Sequence, residues 1–338
     1  MVFRSQPLPA LVLVSIAGLA LAGCASPAAG AGDAADGRLS VVASTNVYGQ
    51  IVEEIGGDLV DVTSIIDSES QDPHSFEASA QDQLTVANAD LIVENGGGYD
   101  AFIEALVEAS GAEAHVITAA TFNHDFPGDA DADAESDADA EPDAATVEAH
   151  DHAEGDEHDH AHIEGFNEHV WYDPHTIEHV AEAIAEELSE LQPDDKATFD
   201  ENAQAFIAQI ARLEESLTTI DTAHAGEKVV ATEPVPVYLV VGAGLENVTP
   251  EAFSEAVEEG QDVPPATLLE SLGLIDSGDV KLVITNTQTG GADTTQVVDA
   301  AESKDLPVIA FSETLPEGQT YISWMQTNIE ALSVALGE

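Results

Sequence analysis

Six histidines and eight acidic side chains crowd residues 149–174, AHDHAEGDEHDHAHIEGFNEHVWYDP. Imidazole nitrogens and carboxylate oxygens at this density are donors for a divalent cation such as zinc. Position within the stretch separates them. His150, His152, His158, His160 and His162 stand in a polar run with no apolar periodicity, which predicts a mobile tract. His169 instead stands beside Trp171 and Tyr172, just ahead of Asp173-Pro174, a helix cap followed by proline at the first helical position. It is therefore held on ordered chain.

Three further residues have comparable chemistry at comparable places. His74 follows the stiffening Pro73 in DPHSFEASAQD, just past the second predicted strand, while Glu233 ends the strand VVATEP and Glu313 ends VIAFSET. Ligands of open α/β sheets bind outside the carboxyl ends of the strands. Two imidazoles from one lobe and two carboxylates from the other would enclose a divalent cation whose charge the carboxylates balance. Nitrogen and oxygen donors together suit zinc or manganese. A rival pattern, HTIEH at residues 175–179, matches the H-x-x-E-H of one class of zinc peptidase. Pro174 puts His175 in the first helical turn rather than mid-helix, so these residues read as exposed helix polars. No serine or cysteine nucleophile constellation accompanies them, and the chain reads as a binding protein, not an enzyme.

The elements that must position these donors follow from periodicity. From Leu39, short β-branched runs alternate with helical stretches (LSVVASTN, VYGQIVEEIGG, VDVTSII, then DLIVENGGG and DAFIEALVEAS), the signature of βαβ units with a parallel sheet. Phe199, Ala203, Phe206, Ile210, Leu213, Leu217 and Ile220 recur at three- and four-residue spacing, predicting one long amphipathic helix able to act as a strut between lobes. A second α/β lobe follows, with KVVATEP, VKLVITNTQ and LPVIAFSE as strands and a polar loop between the helices VPVYLVVGAGL and PATLLESLGLID.

Composition bounds the partners. The chain has 338 residues and a formal charge of -59, from 66 acidic against 7 basic side chains. Such a surface repels phosphate backbones and attracts cations, which excludes nucleic acid, although an acidic excess of this size also fits adaptation to high salt. Residues 125–164 hold 16 of the acidic residues and no Lys or Arg, and are expected to form a disordered acidic and histidine-rich insertion. At the N-terminus, the uncharged run from Leu8 to Ala22 has the length of a signal-peptide core rather than a membrane span. Leu21-Ala22-Gly23-Cys24 resembles a bacterial lipobox, which implies cleavage before Cys24 and lipidation of its sulfur. The mature protein is then expected outside the cytoplasm, touching the membrane only through its lipid anchor.

ASTNVYGQIVEEIGG, DPHSFEASAQD, HVWYDP, TEPVPVYLV and FSETLPEGQTYISWM, in this order, resemble the zinc/manganese substrate-binding lipoproteins of bacterial ABC transporters. The resemblance runs from about Ser40 to the C-terminus. It implies two parallel-sheet α/β lobes joined by one long rigid helix, with the metal in the cleft between them and His74, His169, Glu233 and Glu313 as its ligands. It also implies Zn2+ or Mn2+ as transported ligand and a permease as partner, for a protein acting as a monomer. Zinc-specific relatives commonly have histidine where Glu233 stands, and manganese relatives have glutamate there and aspartate where Glu313 stands, so both metals stay open. Zinc-binding members often carry a histidine-rich acidic loop, which makes His150, His152, His158, His160 and His162 accessory metal binders. A metal-dependent adhesin or metallochaperone would share the site without the permease. The expected organisation is a signal peptide over 1–23, a tether over 24–38, an N-terminal lobe over 39–174, a helical linker over 175–223 and a C-terminal lobe over 224–338.

Overall fold

A computed structural model describes residues 37–127, 163 and 165–337. The expectations placed on residues 1–23, on Cys24 and on His150, His152, His158, His160 and His162 lie outside the described residues.

In the first lobe the strands are β1 (Leu39–Thr45), β2 (Val60–Ile66), β3 (Leu91–Glu94) and β4 (His115–Thr118). The helices α1 (Asn46–Gly56), α2 (Ala80–Val86) and α3 (Phe102–Ser110) connect them, and the parallel sheet has the order β2-β1-β3-β4. After the insertion come α4 (Pro174–Leu191) and α5 (Lys196–His224). The second lobe repeats the design with β5 (Lys228–Ala231), α6 (Val237–Gly242), β6 (Glu246–Asn247), α7 (Glu251–Glu258), α8 (Pro265–Ser277), β7 (Val280–Asn286), α9 (Ala292–Glu302), β8 (Val308–Phe311) and α10 (Tyr321–Leu336). Its parallel sheet runs β6-β5-β7-β8, the same winding as the first.

Strand alternation explains how the two sheets share a core. Val41 and Ala43 of β1 join one apolar cluster while Val42 between them joins another; Val229 and Ala231 of β5 likewise part company with Val230. The inner faces of both sheets thus pack on a common layer in which α4, α5 and α10 supply Ile184, Phe206 and Trp324. Burial on both faces is why the central strands are continuously apolar. The 29-residue α5 is about 44 Å long at 1.5 Å per residue and buries all seven apolar residues that its spacing marks out. Asp173 caps α4 by accepting from the backbone N–H groups of His175 and Thr176, with Pro174 at the first helical position.

The expected polar loop after α6 is instead structured. It contains the two-residue β6 and the eight-residue α7, of which only Phe253 and Ser254 are buried. Phe253, Ala256 and Val257 form an apolar stripe on one core cluster, but over only eight residues, too short a run to mark a helix by periodicity.

Candidate metal centre

The two sheets direct the C-terminal ends of their strands at the same place. Glu233 lies two residues beyond β5, Glu313 two beyond β8, and Asn286 is the last residue of β7. From the first lobe come His74, in the segment after β2, and Tyr99, in the segment after β3. Gly96, Gly97 and Gly98 all have positive φ in the turn leading to Tyr99, and a Cβ at Gly96 would meet Thr118 Cγ2 at 2.3 Å. That turn is locked by Asp100, whose carboxylate accepts from the backbone N–H groups of Asn95 and Gly96 at 2.6 and 2.7 Å. Asn95 in turn donates 2.9 Å to the carbonyl of Glu168, which ties the approach to His169 onto the end of β3.

Donor atoms of His74, His169 and Glu313 lie within 4.8 Å of one another. Donors on one tetrahedral zinc sit roughly 3.4 Å apart, given bonds of about 2.0–2.1 Å, so modest side-chain rotation would close the group on an ion. His169 and Glu313 are buried, at 0% and 4% exposure. Nδ1 of His169 lies 2.7 Å from Asn167 Oδ1; donation there leaves Nε2 as the nitrogen able to ligate. Asn167 also donates to the carbonyl of Pro234, next to Glu233 on the other lobe, at 3.1 Å. Tyr172 donates to the carbonyl of Ser312, next to Glu313, at 2.6 Å. Contacts between the lobes thus bear on His169 through Asn167 and on Glu313 through Ser312.

Glu233 stands outside the three-donor group but is coupled to it. Asn286 Nδ2 donates to Glu233 Oε2 at 2.9 Å and to Glu313 Oε1 at 2.5 Å, and Thr289 donates to the other oxygen of Glu233. The backbone N–H of Glu313 donates to Gln288 Oε1 at 2.7 Å. On the first-lobe side Tyr99 packs edge-on against His74 with ring centres 5.0 Å apart, and Trp171 lies 5.1 Å from the ring of His169.

Burial and mutual repulsion act on the carboxyls. Desolvation, then the charge of Glu233, pushes Glu313 up to about 8, against the hydrogen bond from Asn286. Desolvation also raises Glu233, opposed by Thr289 and Asn286. Glu258, at the end of α7, is pushed up to about 9 by burial and then by Glu168, Glu233 and Glu313. Protons on these groups relieve the crowding of negative charge, and a divalent cation would do the same by replacing them.

Sequence reasoning missed Asn286, Asn167, Tyr99, Glu168 and Glu258. Asn286 stands at a strand end in ITNTQ, where the reasoning that found Glu233 and Glu313 applies equally; Glu258 was hidden in the segment read as a loop. In HTIEH, His175, Glu178 and Glu214 of α5 have donors within 4.8 Å of one another, while His179 Nδ1 lies 3.2 Å from Glu182. The group around His175 is completed from another helix, not by the second histidine that the peptidase pattern requires.

Two α/β lobes of identical winding, buttressed by one long helix and converging strand ends on a buried nitrogen-and-oxygen donor set, define a two-lobed solute-binding protein. The model of the family described as zinc-uptake complex component A, periplasmic (ZnuA), matches residues 41–335, and the chain belongs to that family. The manganese ABC transporter substrate-binding lipoprotein scaA of Streptococcus gordonii is 25% identical, with 97% of this chain and 98% of that protein covered. The zinc-binding lipoprotein AdcA of Streptococcus pneumoniae is also 25% identical over 95% of this chain, which spans 60% of AdcA's length. Among solved structures, the laminin binding protein Lmb of Streptococcus agalactiae, described as bifunctional with adhesin and metal transporting activity, has the same fold. It superposes with a TM-score of 0.66 at 23% identity, covering 88% of this chain and 99% of that one.

Proposed function

We propose that this protein captures Zn2+ between its lobes, with Mn2+ as the alternative cargo, and delivers it to the permease of an ABC transporter. The observation that carries this reading is the convergence of His74, His169 and Glu313 within 4.8 Å at the strand ends. Glu233, tied to Glu313 through Asn286, is the fourth ligand, brought in when the ion offsets the repulsion between the two carboxyls. Zinc leads because a mixed imidazole and carboxylate shell favours it over manganese in the Irving–Williams order. Four protein ligands leave no open position for an activated water, so the protein binds and does not catalyse. It acts as a monomer outside the cytoplasm, anchored through lipid on Cys24, and His150, His152, His158, His160 and His162 hold additional zinc weakly.

The likeness to Lmb favours one second reading, an adhesin that uses the same site. Uptake separates the two. A host strain lacking this protein should accumulate less zinc under scarcity and recover with the wild-type chain but not with His169→Ala. Unimpaired zinc accumulation in the deletion strain would contradict delivery to a permease.

A further inference from the structure

A second group of donors adjoins the first. Atoms of His74, Glu168 and Glu258 lie within 4.8 Å of one another, so His74 belongs to both groups. Glu168 is the residue before His169 and is 4% exposed; Glu258 reaches across from α7 of the other lobe, and its Oε1 lies 3.5 Å from His169 Nε2. That oxygen is buried and accepts no hydrogen bond, an arrangement that costs free energy unless a cation or proton occupies its lone pairs.

The same two glutamates line a cavity of about 510 Å³ between the segment before His169 and α7. Glu251, Glu255 and Glu259 line it too, and among the described residues its wall has no Lys, Arg or His. The wall is thus a region of one sign of charge, which concentrates cations. Of the cavity's lining residues, Glu168 and Glu258 share a donor group with His74, and Glu258 Oε1 lies 3.5 Å from His169 Nε2 of the inner centre.

We propose that Glu168, Glu258 and His74 form a transit site for the divalent cation, outboard of the His74–His169–Glu313 centre, through which the ion passes in both directions. The proposal rests on the metal-capture reading above. Because His74 is common to both positions, the ion moves inward by exchanging Glu168 and Glu258 for His169 and Glu313 while one imidazole stays bound. It is never stripped of all protein ligands at once. The exchange makes and breaks only coordination bonds. A transit site lowers the barrier for capture and release alike, so it sets rates and leaves the affinity of the inner centre alone.

Trp171, beside His169, provides the readout. Stopped-flow tryptophan fluorescence with Zn2+ should show an association rate that saturates with zinc in the wild type, as capture followed by inward transfer requires. In Glu168→Gln/Glu258→Gln, which keeps the side-chain shapes, association should become linear in zinc and slow by about tenfold or more, release into chelator should slow in proportion, and Kd should stay within about threefold. Glu255→Gln/Glu259→Gln removes two other carboxylates from the cavity wall and should change association by no more than about twofold. Equal slowing in that control would reduce the effect to long-range attraction and overturn the proposal. So would unchanged kinetics in the first variant. A tenfold weaker Kd with normal association would make Glu258 a ligand of the inner centre instead, which also overturns it. Absence of tight zinc binding in the wild type would identify the failure as that of the metal-capture reading itself.

Discussion

Glu233 and Glu313, contributed from beyond the ends of two different strands, are held together by one amide nitrogen, Asn286 Nδ2, which donates 2.9 Å to the first and 2.5 Å to the second. The arrangement orients two carboxylates that would otherwise repel, and it does so from the last residue of β7, between β5 and β8 in the sheet. Asn286→Ala should weaken zinc binding by about 10–100-fold, the usual cost of removing a partner that orients metal ligands. Competition against a chelating dye measures this, and affinity within threefold of wild type would show that the pair needs no such clamp.

The raised carboxyl values fix the direction of the pH dependence. Glu313 is held near 8 in the metal-free fold, above its unfolded value of about 4.3, so its protonated form contributes stability that is complete below about 4.3 and lost as pH rises through about 8. Metal-free protein should therefore lose thermal stability over that interval relative to Glu313→Gln. The zinc complex should gain stability over the metal-free protein across the same range, because the ion binds the deprotonated carboxyl. Calorimetry at pH 7 in buffers of different ionisation enthalpy should record proton release on binding. Zinc uptake by the protein without proton release would contradict the assignment of Glu313.

Deleting residues 129–162 should leave the tight equivalent of zinc intact and remove only weaker ones. His169 lies outside the deletion, and so do Asn167, whose Oδ1 is 2.7 Å from its Nδ1, and Tyr238, whose hydroxyl donates to the carbonyl of Asn167. Isothermal titration separates the outcomes: loss of the tight equivalent would place loop histidines in the coordination shell.

Glu233→His replaces an oxygen donor by a nitrogen donor beside Asn286. Preference for zinc over manganese should rise by about tenfold, because imidazole holds manganese poorly relative to zinc. Parallel titrations with both ions test this, and an unchanged ratio would remove Glu233 from the shell.

Much of the scaffold was legible because it depends on repeated spacing. The seven apolar residues of α5 and the Asp173-Pro174 start of α4 follow directly from period and capping chemistry. Glu233 and Glu313, each two residues beyond a strand, stand where the rule for open α/β sheets directs the search, and His74 lies in the segment after β2. What was not legible depends on contacts between distant segments. Its strand-end place makes Asn286 a candidate, but nothing local shows that one amide will bridge Glu233 and Glu313, 53 and 27 residues away. Asn167, which orients His169, ties that histidine to the other lobe only through its distant partner Pro234. Glu258 was obscured for another reason, since α7 is only eight residues long and its stripe of Phe253, Ala256 and Val257 is too short to mark a helix.

The most direct test of the whole account is the zinc affinity and stoichiometry of the wild type beside His74→Ala/His169→Ala, measured by competition with a high-affinity chelator at pH 7.5. One tight equivalent is expected in the wild type and its complete loss in the double variant, with secondary structure unchanged by circular dichroism and weak equivalents retained. A tight equivalent that survives the removal of both imidazoles would contradict it.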